Sequence, residues 1–146
     1  MHDRPFLEKF AEYDKKHDLH FKGINIAQPS IAGIIIKILQ EYDQLLYDLL
    51  YYCVMPNHVH LVIYLGNLTD PKPLGLILKN IKGRSSREIN LLLGRSGTFW
   101  QKASYDRLVR DEKELSSIGD YILENPVKAG LVDSYENWPY SYVRSS

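Results

Sequence analysis

Two apolar, β-prone runs lie back to back in the middle of the chain, about Tyr47 to Val54 and His58 to Leu65, with only Met55-Pro56-Asn57 between them. A connection this short, built on a proline and an asparagine, suits a tight antiparallel turn, so the two runs form a hairpin. A hairpin with an apolar face needs a cover, and the flanking segments supply it. Pro29 and Ser30 open a segment in which Ile31, Ile34, Ile35, Ile38, Leu39 and Tyr42 recur at steps of three and four, the spacing of one helical face. From Leu74 a second helix turns Leu74, Ile77, Leu78 and Ile81 inward, and Gly83 is expected to weaken or bend it before "SSREINLLL" resumes.

"TFWQKASYDRLV" reads as a strand, imperfectly alternating. Asp111 with Glu114 three residues later forms a capping-box pattern, so a third helix starts at Asp111 and is expected to stop near Pro126, which lacks a donor and disfavours helix before it. The aromatic tail "LVDSYENWPYSYVRSS" packs back on the body. At the other end, "FLEKFAEYDKKHD" reads as a short amphipathic helix with a charged outer face, and His17 and His20 as solvated side chains. The order helix, hairpin, helix, strand, helix implies an α+β sandwich whose antiparallel sheet is covered mainly on one face.

With 146 residues the chain is expected to be one domain, 1–146, able to bury a real core. Lys plus Arg and Asp plus Glu both number 18, so no global field draws it to nucleic acid or membrane, and any basic surface must be local. The single cysteine, Cys53, lies in "LLYYCVM" and reads as a small core residue in a reducing compartment. "IAGIIIKIL" is too short for a bilayer span and the start has no signal-peptide core, so a soluble, cytoplasmic protein without membrane partners is expected.

Side chains alternate across a strand, which puts His58, His60, Val62 and Tyr64 on one face and Val59, Leu61, Ile63 and Leu65 on the other, the core face. His58 and His60 then stand roughly 7 Å apart at the backbone. Two readings are open: a hydrogen-bonded surface pair, or two imidazoles converging on one metal ion. A second constellation lies far downstream, on the third helix. There Leu115, Ile118 and Ile122 make the apolar stripe, and Tyr121 and Asn125, four residues apart, lie one above the other at its flank. They are either a packed tyrosine and a helix cap, or two groups that look onto the histidine face.

Taken together, "YYCVMPNHVHLVIYL", "FWQKASYDRLVRDEKELSSIGDYILENPVKAGLV" and "NWPYSY" resemble the single-tyrosine HUH transposases of the insertion-sequence-200-like kind, in particular the REP-associated tyrosine transposases. The likeness runs from about Ser30 to Tyr142. It implies a ferredoxin-like or RRM-like sandwich with the HUH strand in its sheet. It also implies a divalent metal, Mg²⁺ or Mn²⁺, held by His58 and His60 with Asn125 as third ligand, and Tyr121 as the nucleophile that cuts single-stranded DNA next to hairpins. A phenol ionises near ~10 and is a weak nucleophile at neutral pH, so such chemistry needs a nearby cation or base. Nitrogen and oxygen ligands together suit Mg²⁺ or Mn²⁺.

The resemblance also implies a strand ahead of the first helix, and none is evident before Pro29. Residues 1–28 are thus expected to be a divergent or truncated segment, with "LHFKGINI" as one substitute for the strand, and residues 131–146 an aromatic tail. A missing strand would open a sheet edge to pairing with a second copy, as in a homodimer, or with another element. For DNA, Lys79, Lys82, Arg84, Arg87 and Arg95 offer a basic stripe interrupted by Glu88, with Arg107 and Arg110 as secondary phosphate contacts; the stripe reads equally as a solvated helix face. Trp100, Tyr105, Trp138, Tyr140 and Tyr142 can stack on bases, although core packing accounts for most of them. Three functions compete: a metal-dependent DNA nicking and joining enzyme, a non-catalytic hairpin-DNA binder descended from one, and an RRM-like RNA module. The last lacks an aromatic RNP-like strand.

Overall fold

The structure, a computed structural model, describes residues 6–10, 24–100, 104–109 and 111–145. Its elements are β1 (Phe6–Phe10), α1 (Pro29–Tyr42), β2 (Asp48–Met55), β3 (His58–Tyr64), α2 (Leu74–Leu93), β4 (Ser104–Leu108), α3 (Glu112–Lys128), a 3-10 turn (Tyr135–Asn137) and β5 (Ser141–Val143). The five strands form one antiparallel sheet in the order β4-β1-β3-β2-β5. The hairpin is in place: Met55 pairs with His58 and Val54 with Val59 across a Pro56-Asn57 turn. β3 is the central strand, held by neighbours on both sides.

The strict alternation along β3 divides the molecule into two layers. Val59, Leu61 and Ile63 face Ile31, Ile35, Ile38 and Leu39 of α1 and Ile77, Leu78, Ile81 and Ile89 of α2 in the larger core. Val62, with Cys53 and Met55 of β2, faces Ile118 and Ile122 of α3 in a smaller core. Among the described residues two helices therefore cover one face, and α3 covers the face that carries the histidines. At ~25 cal/mol per Å² of apolar surface removed from water, each fully buried Ile or Leu contributes about 2 kcal/mol, so the α1/α2 layer dominates stability. No described helix is long and apolar enough to cross a membrane.

Several expectations are corrected. Phe6–Phe10 is strand, not helix: β1 pairs with β3 (Phe6 with Ile63, Phe10 with Val59) and with β4 (Phe6 with Leu108). "FLEKF" does not alternate apolar and charged residues, and Phe6, Leu7 and Phe10 fit one helical face; the backbone groups left open by β3 and β4 select strand instead. The strand thought to be missing is thus present between β3 and β4. Of the alternative "LHFKGINI", the described part is not strand; Ile26 is a buried core residue whose N–H bonds to the Pro56 carbonyl at 3.0 Å. His17 and His20 lie outside the described residues.

Helix α2 continues unbroken through Gly83 and ends at Gly94, whose φ of 66° provides the left-handed C-cap. Helix α3 does not stop at Pro126 but runs on to Lys128. Its start is as expected, with the Asp111 carboxylate accepting the Glu114 N–H at 2.8 Å. The tail folds back as a fifth strand, Tyr52 pairing with Tyr142, and their rings stack at 5.2 Å.

Candidate active site

His60 lies mid-strand at the centre of the sheet, opposite Cys53 on β2 and Lys9 on β1, and is 1% exposed. His58 enters the same face from the turn, half-buried. Their rings are perpendicular with centroids 4.6 Å apart, and the two Nε2 atoms face each other at 3.0 Å. Strand geometry sets the backbones apart and the rings close that distance. The ring of His58 is fixed from behind, where its Nδ1 stands 2.5 Å from Oδ1 of Asn57. With Nδ1–H donating to that oxygen, the lone pair of His58 Nε2 points at His60.

Helix α3 brings the downstream pair to this point. Ile118, Gly119, Ile122 and Pro126 are buried against the sheet, which orients Tyr121 and Asn125 along the edge of the contact. The amide Nδ2 of Asn125 is 3.1 Å from His60 Nε2. Because amide nitrogen and oxygen exchange places on a half turn, the same position can present Oδ1. The Tyr121 ring meets His60 edge-on at 5.9 Å and remains 47% exposed, so its hydroxyl is open to a ligand from solvent.

This set fits a divalent ion. Two imidazole nitrogens each ~2.1 Å from an ion, at about a right angle, lie about 3.0 Å apart, which is the separation found between His58 and His60. Among the described residues no group of three His, Cys, Asp or Glu side chains could hold a metal, and the amide of Asn125 is a further donor group within reach of His60. Cys53, the cross-strand partner of His60, is buried in the α3 core, and that burial pushes its thiol up to about 12.

The family model for "Transposase IS200 like" matches residues 15–125, most of the chain and both halves of the site. The chain belongs to the IS200-like transposase family. It is 32% identical over 98 residues to a candidate REP-associated tyrosine transposase of Haemophilus influenzae, covering 61% of this chain and 54% of that protein. The chain thus spans about half the length of that relative. A solved REP-associated tyrosine transposase bound to a REP hairpin has the same fold, at a TM-score of 0.67 and 20% identity, over 97% of this chain and 77% of its own. A candidate transposase of Deinococcus radiodurans shares it at a TM-score of 0.55 and 20% identity, over 86% and 92%.

For this IS200-like chain, four of the predicted site residues come together, and the α2 cations do not join them. Lys79, Lys82, Arg84 and Arg87 are on α2, across the sheet from His60. Lys79 and Arg87 are exposed, whereas Arg84 is engaged by the carboxylates of Glu41 and Glu88 and lies over the Tyr42 ring. Arg95 bonds Asn90 Oδ1 at 2.7 Å and lies over Phe99. Arg107 is a β4 residue, and Arg110 lies outside the described residues. Most of the aromatic candidates are structural: buried Trp100 donates to Ser85 Oγ, and Trp138 donates to the Val54 carbonyl at 3.1 Å, closing the tail over the α3 core.

Sequence reading missed two residues at the site. Asn57 orients His58, and its only signal was its place between the proline and the first histidine. Lys128 has its ammonium 5.5 Å from the centroid of the Tyr121 ring, a contact hidden by the expected helix end at Pro126.

Proposed function

We propose that this chain is a metal-dependent DNA nuclease and strand transferase that acts on single-stranded DNA beside hairpins, with Tyr121 as nucleophile. The observation that carries the reading is the convergence of His58 Nε2, His60 Nε2 and the Asn125 amide within 3.1 Å, with the Tyr121 ring against His60. His58, His60 and Asn125 would hold Mg²⁺ or Mn²⁺. When bound, the ion supplies Lewis-acid polarisation of the scissile phosphate and stabilises charge on its oxygens.

The protein's own contribution is orientation. Asn57 fixes the His58 ring, the sheet fixes His60, and α3 presents the Tyr121 oxygen from one side while leaving it open to a strand. Attack by the phenolic oxygen forms an O–P bond and breaks the bond from phosphorus to the 3′-oxygen. The phenol loses its proton and the departing 3′-oxygen gains one. The products are a 5′-phosphotyrosine link and a free 3′-hydroxyl. Since the phosphodiester is exchanged and not hydrolysed, a 3′-hydroxyl of another strand can reverse the step and complete transfer.

A hairpin-bearing strand as substrate is supported by the solved structure of the same fold bound to a REP hairpin. The alternative of a non-catalytic binder rested on a missing first strand, and β1 fills that position. The test is incubation of the protein and its Tyr121→Phe variant with Mn²⁺ and a labelled hairpin-bearing single strand, followed by a denaturing gel. A labelled protein band that needs both the metal and Tyr121 is the expected result. A native-gel shift with no covalent band from the unaltered protein would leave only the binding function.

A further inference from the structure

Tyr121, Asn125 and Lys128 are at positions i, i+4 and i+7 of α3, which places all three on one face of the helix. This register exists only because the helix continues through Pro126. The missing proline donor costs it one bond, and the turn is closed instead by Ala129 N–H to the Asn125 carbonyl and Leu131 N–H to the Pro126 carbonyl, both at 2.9 Å. Helical side chains lean toward the N-terminus, so the long stem of Lys128 passes back along the face and carries its ammonium to the Tyr121 ring.

Glu124, four residues before Lys128, stands in the favourable order for an ion pair. Yet Lys128 makes no ion pair among the described residues, and its contact is with the tyrosine. An exposed, uncompensated ammonium thus sits beside Tyr121, whose ring meets His60. The α2 cations are on the far layer and cannot serve a phosphate at this point.

We infer that Lys128 binds the phosphate that Tyr121 attacks, acting as a phosphate contact inside the site. The inference rests on the proposed function. In this arrangement the ammonium pairs with a non-bridging oxygen of the scissile group, or of the one next to it, and holds the strand in line with the phenolic oxygen.

The test compares the unaltered protein, Lys128→Gln and Lys128→Arg. The readouts are single-turnover adduct formation at saturating hairpin-bearing strand, Mn²⁺ affinity by calorimetry, and the salt dependence of strand binding. Lys128→Gln is expected to slow adduct formation about ten- to a hundredfold and to lower the salt slope by about 0.7, one single-strand phosphate contact, with Mn²⁺ affinity and thermal midpoint kept. Lys128→Arg should recover most of the rate.

An unchanged rate and slope in Lys128→Gln would overturn the inference. So would a loss of rate that merely follows a loss of Mn²⁺ affinity and thermal midpoint, the mark of a helix-end role. If the unaltered protein forms no adduct, the functional reading fails separately. The salt slope then decides the contact by itself, a reduced slope upholding it and an unchanged slope refuting it.

Discussion

Gly119 sets how closely α3 approaches the sheet, and replacing it by alanine tests that spacing. A Cβ at this position would stand inside the van der Waals envelope of the Tyr51 ring, at Cζ, Cε2 and Oη. In an unobstructed helix interior, Gly→Ala stabilises by about 1 kcal/mol. Here the Tyr51 ring must leave its packing against the α3 core, or the helix must move, and such overpacking costs ~1–3 kcal/mol. The sum is a net loss of ~0–2 kcal/mol. In a Tyr51→Ala background the obstruction is gone and the full gain of about 1 kcal/mol should return, a coupling of ~1–3 kcal/mol between the two positions. Urea unfolding of the four proteins measures it. Gly119→Ala stabilising both backgrounds equally would refute the close approach, and with it the placement of Tyr121 and Asn125 against His60.

Asn57→Ala should weaken Mn²⁺ binding about ten- to a hundredfold by freeing the His58 ring, and nitrogen-15 spectra of the metal-free protein should show His58 losing its single Nδ1–H tautomer. Asp111→Ala removes the α3 cap and should cost about 1 kcal/mol in urea unfolding, with little effect if the helix were capped otherwise. Burial raises the Cys53 thiol from 9.0 to about 12 and pushes the Tyr47 phenol up, as it donates to the Leu39 carbonyl in the core. For both groups the unfolded chain loses its proton first. Stability is therefore full below pH ~9 and falls as pH rises toward about 12, by up to ~1.4 kcal/mol per pH unit for each group. Cys53→Ala should flatten that alkaline limb by one proton; an unaltered slope would contradict the burial of the thiol.

Much of this arrangement was legible in the sequence, and the parts that were not share a cause. The hairpin, the core faces of α1 and β3 and the cap of α3 are written in local periodicity over enough residues to be unambiguous. The helix period could place Tyr121 and Asn125 at the flank of the α3 stripe, but that α3 lies over the histidine face came only from the family resemblance, since the period says nothing of which layer a helix joins. "FLEKF" could not be read correctly, since its pattern fits a helical face better than strand alternation and only the open edges of β3 and β4 select strand. Pro126 misled for a similar reason. A local rule predicts a stop, while the burial of Pro126 itself and the bonds that close the next turn carry the helix onward. The basic residues of α2 are plain in the sequence, but the layer they lie on is a property of topology, which no pattern along one helix contains.

The central claim is that Tyr121 takes the 5′ side of the broken phosphodiester, and strand polarity tests it most directly. A hairpin-bearing single strand is labelled at its 5′ end in one sample and at its 3′ end in another, incubated with the protein and Mn²⁺, and resolved on a denaturing gel. The account predicts that the 3′ label moves with the protein, is lost from it in Tyr121→Phe, and that the 5′-labelled fragment is released with a free 3′-hydroxyl. A 5′ label on the protein, or cleavage that survives Tyr121→Phe without any covalent species, would contradict it.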